Sequence, residues 1–322
     1  MHDSELKAFT QKIQSGDRGY LARAITFAES SQSKHRQMAE DLLEALLPFT
    51  GKSMRIGVTG VPGVGKSTCI EQLGMHYIRN GKRVAVLAID PSSNQSKGSI
   101  LGDKTRMQTL SAESNAFIRP SPSSGMLGGL GRHTYESMLL CEAAGYEVIL
   151  IETVGVGQSE VDVRQICDVF ILLMLAGAGD EIQGMKKGIM EWVDILVVNK
   201  ADGSQVQTAE AAAKLYEQSL HWFPQKPYGW TPQALTASSI NASGIEALVN
   251  CINRFFNQVS ATDGMQQIRS EQTKTHYIQL LKTEMLQYFW KRYHTDAANL
   301  NFNAKSGFNP YQQLKIQKKK WA

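Results

Sequence analysis

One nine-residue segment, GVPGVGKST from Gly60 to Thr68, constrains the fold of this chain more than any other. It starts at the end of the apolar run RIGVTG and leads into a stretch with helical spacing. The segment fits the pattern G-x-x-x-x-G-K-[ST], in which backbone N–H groups surround a phosphate and the N-terminus of the next helix adds its positive end. A strand, a glycine-rich loop and a helix in this order predict a phosphate-binding loop.

The rest of the chain alternates apolar runs with segments of helical spacing between residues 51 and 260. The apolar runs are nearly continuous, as in the strands of a parallel sheet that is covered on both faces. This alternation predicts an α/β fold with a doubly wound, mostly parallel sheet. Residues 1–50 and 261–322 have helical spacing only, and we predict helical N-terminal and C-terminal extensions there.

An apolar stripe runs along the C-terminal extension at Ile278, Leu281, Met285 and Phe289. The spacing places these residues on one face of a helix. The stripe fits two structures, an intramolecular core or the face of a homodimer.

Composition excludes several classes of function. The chain has 34 basic and 30 acidic residues, so its charge gives no reason to expect nucleic acid as the main partner. No apolar run reaches the length of a membrane span, and the polar N-terminus does not resemble a signal peptide. The four cysteines are far apart and have no metal-binding spacing, as in proteins of a reducing compartment. We therefore predict a cytoplasmic protein that binds neither a membrane nor nucleic acid.

The segment VVNKAD predicts the base of the nucleotide, because Asn199, Lys200 and Asp202 form N-K-x-D after an apolar run. The Asp202 carboxylate can accept hydrogen bonds from N1–H and the exocyclic amino group of guanine, whereas adenine would leave it unpaired. Asn199 would tie the base loop to the phosphate loop, and the stem of Lys200 would cover the base. The backbone near Ser238 and Ser239 would contact guanine O6. These residues predict GTP and GDP as ligands.

The phosphate loop and the run EVILIETVG predict a Mg²⁺ site. Lys66 would reach the β- and γ-phosphate oxygens, and the Ser67 hydroxyl would bind Mg²⁺. Glu152 begins an E-x-x-G motif, in which the carboxylate holds Mg²⁺ or its water and the N–H of Gly155 senses the γ-phosphate. The complete set predicted to bind phosphates is Gly60, Val61, Pro62, Gly63, Val64, Gly65, Lys66, Ser67 and Thr68.

A long polar stretch, DPSSNQSKGSILGDKTRM, follows the apolar run that ends at Ile89. Most connections between elements have two to six residues, and longer ones are often functional. Asp90 would orient the attacking water or a metal-bound water. Asp103 would move onto Mg²⁺ when the γ-phosphate is present, so this stretch is predicted to be a nucleotide-dependent switch. The predicted catalytic residues are Lys66, Asp90 and Glu152, and the predicted metal ligands are Ser67, Asp90, Asp103 and Glu152.

Four stretches, DPSSNQSKGSILGDKTRM, RPSPSSGMLGG, IETVGVGQSE and GAGDEIQGMKKGIME, together resemble the MeaB/ArgK family. The resemblance covers roughly residues 10–260. Members of this family are P-loop GTPases of the SIMIBI class that act as chaperones for methylmalonyl-CoA mutase. The resemblance implies binding to this adenosylcobalamin-dependent mutase or a related one, GTP-gated cofactor loading, protection of the mutase from inactivation, and a homodimer.

The resemblance also assigns residues. It implies that Ser67, Asp103 and Glu152 surround Mg²⁺, and that Asp180 and Lys186 lie in a third switch that couples the nucleotide state to the mutase. One departure is Ser239, which stands where the family usually has alanine. The tail beyond about residue 295 does not match the family.

Two other functions compete with this interpretation. Similar proteins have been described as kinases or ATPases of lysine/arginine/ornithine transport, but N-K-x-D argues against ATP. A nickel-insertion metallochaperone GTPase belongs to the same structural class. Its metal ligands would have to lie near the switches, whereas the seven histidines here are scattered and no Cys/His pair lies near the phosphate loop.

The N-K-x-D motif yields a direct test. We expect Asp202→Asn to weaken GTP binding by about 10²-fold or more and to favour xanthosine triphosphate, because the amide can pair with the 2-oxo group. Titration calorimetry with GTP, ATP and xanthosine triphosphate measures both effects. Equal affinity of the unaltered protein for ATP and GTP would contradict the prediction.

Overall fold

The computed structural model describes residues 2–90, 107–122, 129–153, 163–177, 187–298 and residue 315. Within these ranges, seven strands form one sheet in which every pairing is parallel. The strands are β1 Met54–Gly60, β2 Val84–Asp90, β3 Ala116–Pro122, β4 Val148–Glu152, β5 Val169–Leu175, β6 Ile195–Asn199 and β7 Gln233–Thr236.

The helices that accompany the sheet are α1 Asp3–Gln14, α2 Arg18–Glu29, α3 Ser33–Leu46, α4 Lys66–Arg79, α5 Gln108–Ala112, α6 Gly129–Ala143, α7 Val206–Leu220, α8 Ile245–Ser260 and α9 Gly264–Ala298. Short 3₁₀ helices lie at Leu47–Phe49, Lys187–Trp192 and Gly203–Gln205. The spacing of the sequence also predicts a helix over residues 185–190. The described part of that segment is the 3₁₀ helix at Lys187–Trp192, a geometry that is common in short connections.

Each central strand contributes side chains to two separate hydrophobic cores, because successive side chains point to opposite faces of a sheet. In β4, Ile149 and Ile151 belong to the core that also contains α1–α3, α6 and α7. Val148 and Leu150 belong to the core formed with α4, α5 and α8. All four side chains are fully buried. Helices therefore cover both faces, and the predicted α/β, doubly wound fold is confirmed.

The strand order, β3-β2-β4-β1-β5-β6-β7, determines where a ligand can bind. The connection from β1 leads to β2 on one side of the sheet, while β5 lies on the other side of β1. Ligands of doubly wound folds bind beyond the carboxyl ends of the strands at such a point. Gly60 ends β1 there, so the phosphate loop lies at the switch point of the sheet.

The chain divides into two compact units, Met1–His276 and Tyr277–Ala322. The first contains the whole sheet and the described helices up to the first turns of α9. In the second, the apolar stripe predicted from the sequence is exposed, from 39% at Ile278 to 52% at Met285. The division of the chain near residues 50 and 260 stays a prediction.

A buried ionic network joins the start of α9 to the amino-terminal edge of the sheet. Arg269 donates two hydrogen bonds to the fully buried carboxylate of Asp168, at 3.1 and 2.7 Å. Arg55 donates its backbone N–H to the same carboxylate and its guanidinium to both oxygens of Glu142, at 2.9 and 3.0 Å. Gln272 accepts from Arg55 Nη1 at 2.7 Å. Each buried charge therefore has an opposite charge and further hydrogen bonds, the condition under which burial is tolerated.

The four cysteines, Cys69, Cys141, Cys167 and Cys251, are all buried and carry free thiols. Burial raises the pKa of each thiol, to about 12 for Cys69 and Cys167. These side chains pack as small apolar groups.

Among the described helices, none combines the length and the apolar character needed to cross a membrane.

The network at Asp168 yields a stability prediction. Arg269→Ala would leave the Asp168 carboxylate buried with less compensation, so we expect the free energy of unfolding to fall by about 3 kcal/mol. Urea unfolding followed by circular dichroism measures the change.

Lys274→Ala is the matched control, because Lys274 lies five residues further along α9 and pairs with Glu271 in solvent, where an ion pair contributes little. We expect a change within about 0.5 kcal/mol for this variant. Equal destabilisation by the two variants would contradict the proposed role of the buried pair.

Candidate functional site

The phosphate loop leaves β1 at Gly60 and enters α4 at Lys66. Gly60 has φ +148° and Gly65 has φ +99°. A Cβ at Gly60 would lie 2.5 Å from the carbonyl oxygen of Leu173, and a Cβ at Gly65 would lie 2.6 Å from Nδ2 of Asn199. Both glycines of the motif are therefore required by close approaches to neighbouring strands as well as by backbone conformation.

Lys66 is the predicted phosphate-binding cation, and its side chain is 8% exposed. Its Nζ donates hydrogen bonds to the carbonyl oxygens of Gly60 and Val61, at 2.9 and 3.2 Å. The ammonium group thus lies against the loop that the motif predicts as the phosphate cradle.

Ser67 and Glu152, two of the predicted Mg²⁺ ligands, are brought together. Ser67 Oγ, in the first turn of α4, donates to Glu152 Oε1 at 2.7 Å. Glu152 is the last residue of β4, which pairs with β1. Beside it, Thr153 Oγ1 donates to Thr59 Oγ1 at 2.7 Å, a buried contact that ties the carboxyl ends of β4 and β1. A hydroxyl and a carboxylate at a helix N-terminus provide the hard oxygen donors that Mg²⁺ prefers.

Asn199 connects the base loop to the phosphate loop, as the sequence predicts. It is buried at the end of β6, and its Nδ2 donates to the carbonyl oxygen of Val64 at 2.7 Å. Its Oδ1 accepts from the backbone N–H of Ser239 at 3.1 Å. The Asn199 amide is therefore hydrogen-bonded to both the phosphate loop and the base loop.

Asp202 and Ser238 form the second contact in the base loop. Ser238 Oγ donates to Asp202 Oδ2 at 2.5 Å. The loop is held to β6 by the backbone bonds Ala201 N to Ala237 O and Ala237 N to Val198 O, each 3.0 Å. Lys200 is exposed and has φ +58°, an uncommon conformation for a residue other than glycine. The N-K-x-D residues and the serine loop thus occupy one site at the carboxyl ends of β6 and β7.

Ser239 makes a contact that sequence reasoning missed. Its hydroxyl donates to Asn199 Oδ1 at 2.9 Å, in addition to the bond from its backbone N–H. The sequence shows only that serine replaces the usual alanine, and spacing gives no partner for its side chain. Cys69 lies beside this group: burial raises the pKa of its thiol, and the Ser239 side chain opposes that shift.

Several predicted site residues lie outside the described part of the chain. They are Asp103, Gly155, Asp180 and Lys186. For Asp90 the backbone alone is described: it ends β2, two residues beyond Ala88, which pairs with Glu152. The roles of these residues stay predictions.

Within the described ranges, no group of three or more His, Cys, Asp or Glu side chains is arranged to hold a metal ion. Ser67 and Glu152 would contribute one hydroxyl and one carboxylate to the predicted Mg²⁺ site, and waters and substrate phosphates commonly complete the coordination of Mg²⁺.

Comparison with known proteins gives consistent matches. The family model "Methylmalonyl Co-A mutase-associated GTPase MeaB" matches residues 21–294. GTPase ArgK of Escherichia coli K12 is 46% identical over 273 residues, covering 85% of this chain and 82% of the relative. The mitochondrial methylmalonic aciduria type A homolog of Mus musculus is 41% identical over 284 residues, covering 85% of this chain and 68% of the relative.

A solved structure extends the match to the fold. The crystal structure of an LAO/AO transport system kinase superposes with a TM-score of 0.76 at 36% identity, covering 99% of this chain and 98% of that one. The family model spans the sheet and the phosphate and base loops, and the relatives named above are similar along most of their length. This chain therefore belongs to the MeaB family of methylmalonyl-CoA mutase-associated GTPases, and it is a P-loop GTPase that binds guanine nucleotides.

Proposed function

We propose that this GTPase is a chaperone of an adenosylcobalamin-dependent methylmalonyl-CoA mutase or a related cobalamin mutase. In this role it gates cofactor loading and protects the mutase from inactivation. The observation that carries the proposal is the family match over residues 21–294, whose description names association with the mutase. The similarity to the methylmalonic aciduria type A homolog of Mus musculus supports it.

The geometry of the phosphate site supports a separate role in hydrolysis for each of its residues. The backbone of Gly60–Thr68 binds the phosphates, and the Lys66 ammonium stabilises negative charge on their oxygens. Ser67 and Glu152 would hold Mg²⁺, which neutralises charge on the β- and γ-phosphates when bound. Asp90 is proposed to orient the attacking water, since β2 delivers it to the same edge of the sheet as Glu152.

The base site supports selection of guanine. The Asp202 carboxylate would accept from N1–H and the amino group of the base, while Ser238 Oγ already holds its Oδ2. The backbone near Ser238 and Ser239 is proposed to contact guanine O6. The N–H of Ser238 donates to Ser243 O at 2.9 Å and that of Ser239 to Asn199 Oδ1 at 3.1 Å, so one of them would share its hydrogen with O6 on binding. Lys200, which is exposed, would cover the base.

The topology supports coupling between hydrolysis and the partner. The segments predicted to be switches follow β2, β4 and β5; β4 and β5 pair with β1, and β2 pairs with β4. The chain leaves these strands at the edge where Gly60 begins the phosphate loop. Loss of the γ-phosphate can therefore be sensed by segments that contain Asp103, Gly155, Asp180 and Lys186. A ligand shifts such segments only through contacts that differ between the two nucleotide states.

A homodimer forms part of the proposal. In α9, Ile278, Leu281, Met285 and Phe289 recur at helical spacing and are 39–52% exposed. Large apolar side chains in a row along an exposed helix face typically mark an interaction site. The exposure favours the dimer interpretation of this stripe over the core interpretation.

The transport-kinase alternative has one supporting observation, the structural similarity to a protein described as an LAO/AO transport system kinase. The base site argues against a kinase that uses ATP, because Asp202 would be left unpaired by adenine. The cytoplasmic location, Mg²⁺ and the absence of a nickel-delivery role stay predictions of the sequence.

The Ser67–Glu152 contact yields a prediction for Mg²⁺. We expect Glu152→Gln to raise the Mg²⁺ concentration needed for half-maximal GTP hydrolysis by about 10–100-fold, because the amide keeps the size of the side chain but loses its charge. Phosphate release at increasing Mg²⁺ concentration measures the effect. Glu210→Gln, on the exposed side of α7, is the control and should match the unaltered protein. An unchanged Mg²⁺ requirement in Glu152→Gln would remove Glu152 from the metal site.

The chaperone proposal is tested with purified apo-mutase and adenosylcobalamin. We expect slow hydrolysis by the GTPase alone, acceleration of hydrolysis by the mutase, and cofactor transfer that depends on GTP. The first is expected because the sequence shows no evident arginine finger, a group that typically contributes about 10³–10⁵ in rate. If the mutase neither accelerates hydrolysis nor forms a complex with the GTPase in either nucleotide state, the chaperone function is refuted.

Lys186→Ala tests the coupling segment in the same assay. We expect nearly unchanged GTP affinity, a reduced acceleration of hydrolysis by the mutase and impaired cofactor transfer. Lys214→Ala, which removes an exposed lysine of α7, is the matched control. Normal acceleration in Lys186→Ala would exclude Lys186 from the coupling path.

A further inference from the structure

The hydroxyl of Ser239 belongs to a buried chain of hydrogen bonds that crosses the nucleotide site. Ser239 Oγ donates to Asn199 Oδ1 at 2.9 Å, and Asn199 Nδ2 donates to the carbonyl oxygen of Val64 at 2.7 Å. Ser239, Asn199 and Val64 are each at most 3% exposed. The chain therefore runs from the base loop through β6 to the middle of the phosphate loop, out of contact with water.

The two ends of the Asn199 amide have different requirements. The end that faces Val64 must be a donor, because a carbonyl oxygen only accepts. The end that faces Ser239 must be an acceptor, because the backbone N–H of Ser239 points to it at 3.1 Å. The hydroxyl adds a second donor at that end, so the orientation of the amide is fixed by three hydrogen bonds instead of two.

The position of this amide matters for the phosphate loop as well. A Cβ at Gly65 would lie 2.6 Å from Asn199 Nδ2, which shows how closely the amide approaches the loop backbone. A rotated amide would present its oxygen to the carbonyl of Val64 and would separate the loops. Restraint of the amide therefore preorganises both halves of the nucleotide site, and preorganisation improves affinity by lowering the cost of ordering on binding.

We propose that the Ser239 hydroxyl is a positioning group that locks the Asn199 amide and thereby couples the base loop to the phosphate loop. It acts through Asn199 and does not read the base. This inference rests on the proposed guanine site and adds to it a role for the one side chain that departs from the usual alanine.

The first test compares Ser239→Ala with the unaltered protein for GDP and 2-aminopurine riboside diphosphate, a probe that lacks the 6-oxo group near which Ser239 is proposed to lie. Loss of the hydrogen bond from the hydroxyl to Asn199 is expected to weaken the binding of both nucleotides by the same factor, about threefold to tenfold. A change of less than twofold for GDP would overturn the proposal. A much larger loss for one of the two nucleotides would also overturn it, because the hydroxyl would then read the base directly.

Ser243→Ala is the matched control. It makes the same chemical change on the same loop, at a residue that is exposed. Its affinity for both nucleotides should equal that of the unaltered protein. An equal loss in this variant would show that removal of any serine hydroxyl loosens the loop, against a specific role of Ser239.

A double-mutant cycle separates positioning from general stabilisation. In an Asn199→Ala background, Ser239→Ala should cause no further loss of GDP affinity, since the hydroxyl has no amide left to hold. A loss as large as in the unaltered background would overturn the proposal. If Asn199→Ala binds GDP too weakly to measure, the same cycle is followed by urea unfolding without nucleotide, where independent, additive effects would overturn it.

Failure of the guanine site would be seen separately. It would appear as equal affinity of the unaltered protein for GTP and ATP, or as unchanged base preference in Asp202→Asn. The Ser239–Asn199 cycle does not depend on either result, because it reports the coupling of the two side chains and not the identity of the base.

Discussion

The parallel pairing of β1 with β4 and β5 is the constraint on which the nucleotide site depends. Parallel strands that share a sheet end at the same edge, so the chain must pass that edge each time it leaves a strand. The register places Glu152 opposite Val58 and thus within reach of Ser67, in the first turn of the helix after β1. A one-residue slip of β4 would exchange its two core faces and turn Glu152 away from the phosphate loop.

The Asn199 amide is the second constraint, because it makes two distant parts of the chain into one binding site. Val64 and Ser239 are separated by most of the sheet in sequence, yet both are bonded to this one side chain. The sheet supplies the approximate geometry of the site, and the amide fixes the distance between the part that would hold the phosphates and the part that would hold the base. A Cβ at Gly65 would lie 2.6 Å from Asn199 Nδ2, so no larger residue fits at Gly65 while the amide keeps this position.

Much of the fold was predictable because its strands and its loop motif carry strong local signals. Apolar runs such as VFILLML predict buried parallel strands, and the glycines of Gly60–Thr68 predict the turn between a strand and a helix. The contacts of Ser239 and Thr153 were not predictable, because each depends on a partner about 40 or 90 residues away in sequence. The pairing of Arg269 with Asp168 has the same origin. Charged residues on a helix usually face solvent, and only the tertiary structure shows that this arginine meets a buried carboxylate.

The cysteines of this chain have a practical consequence. All four thiols are buried, and burial holds each pKa above its ordinary value, so the nucleophilic thiolate is scarce at neutral pH. A cysteine introduced on the surface would therefore be the reactive thiol toward a maleimide dye in the folded protein. Reporter fluorophores can be attached beside the base loop or on α9 without first replacing native cysteines, and the packing around Cys69 next to Ser239 stays intact.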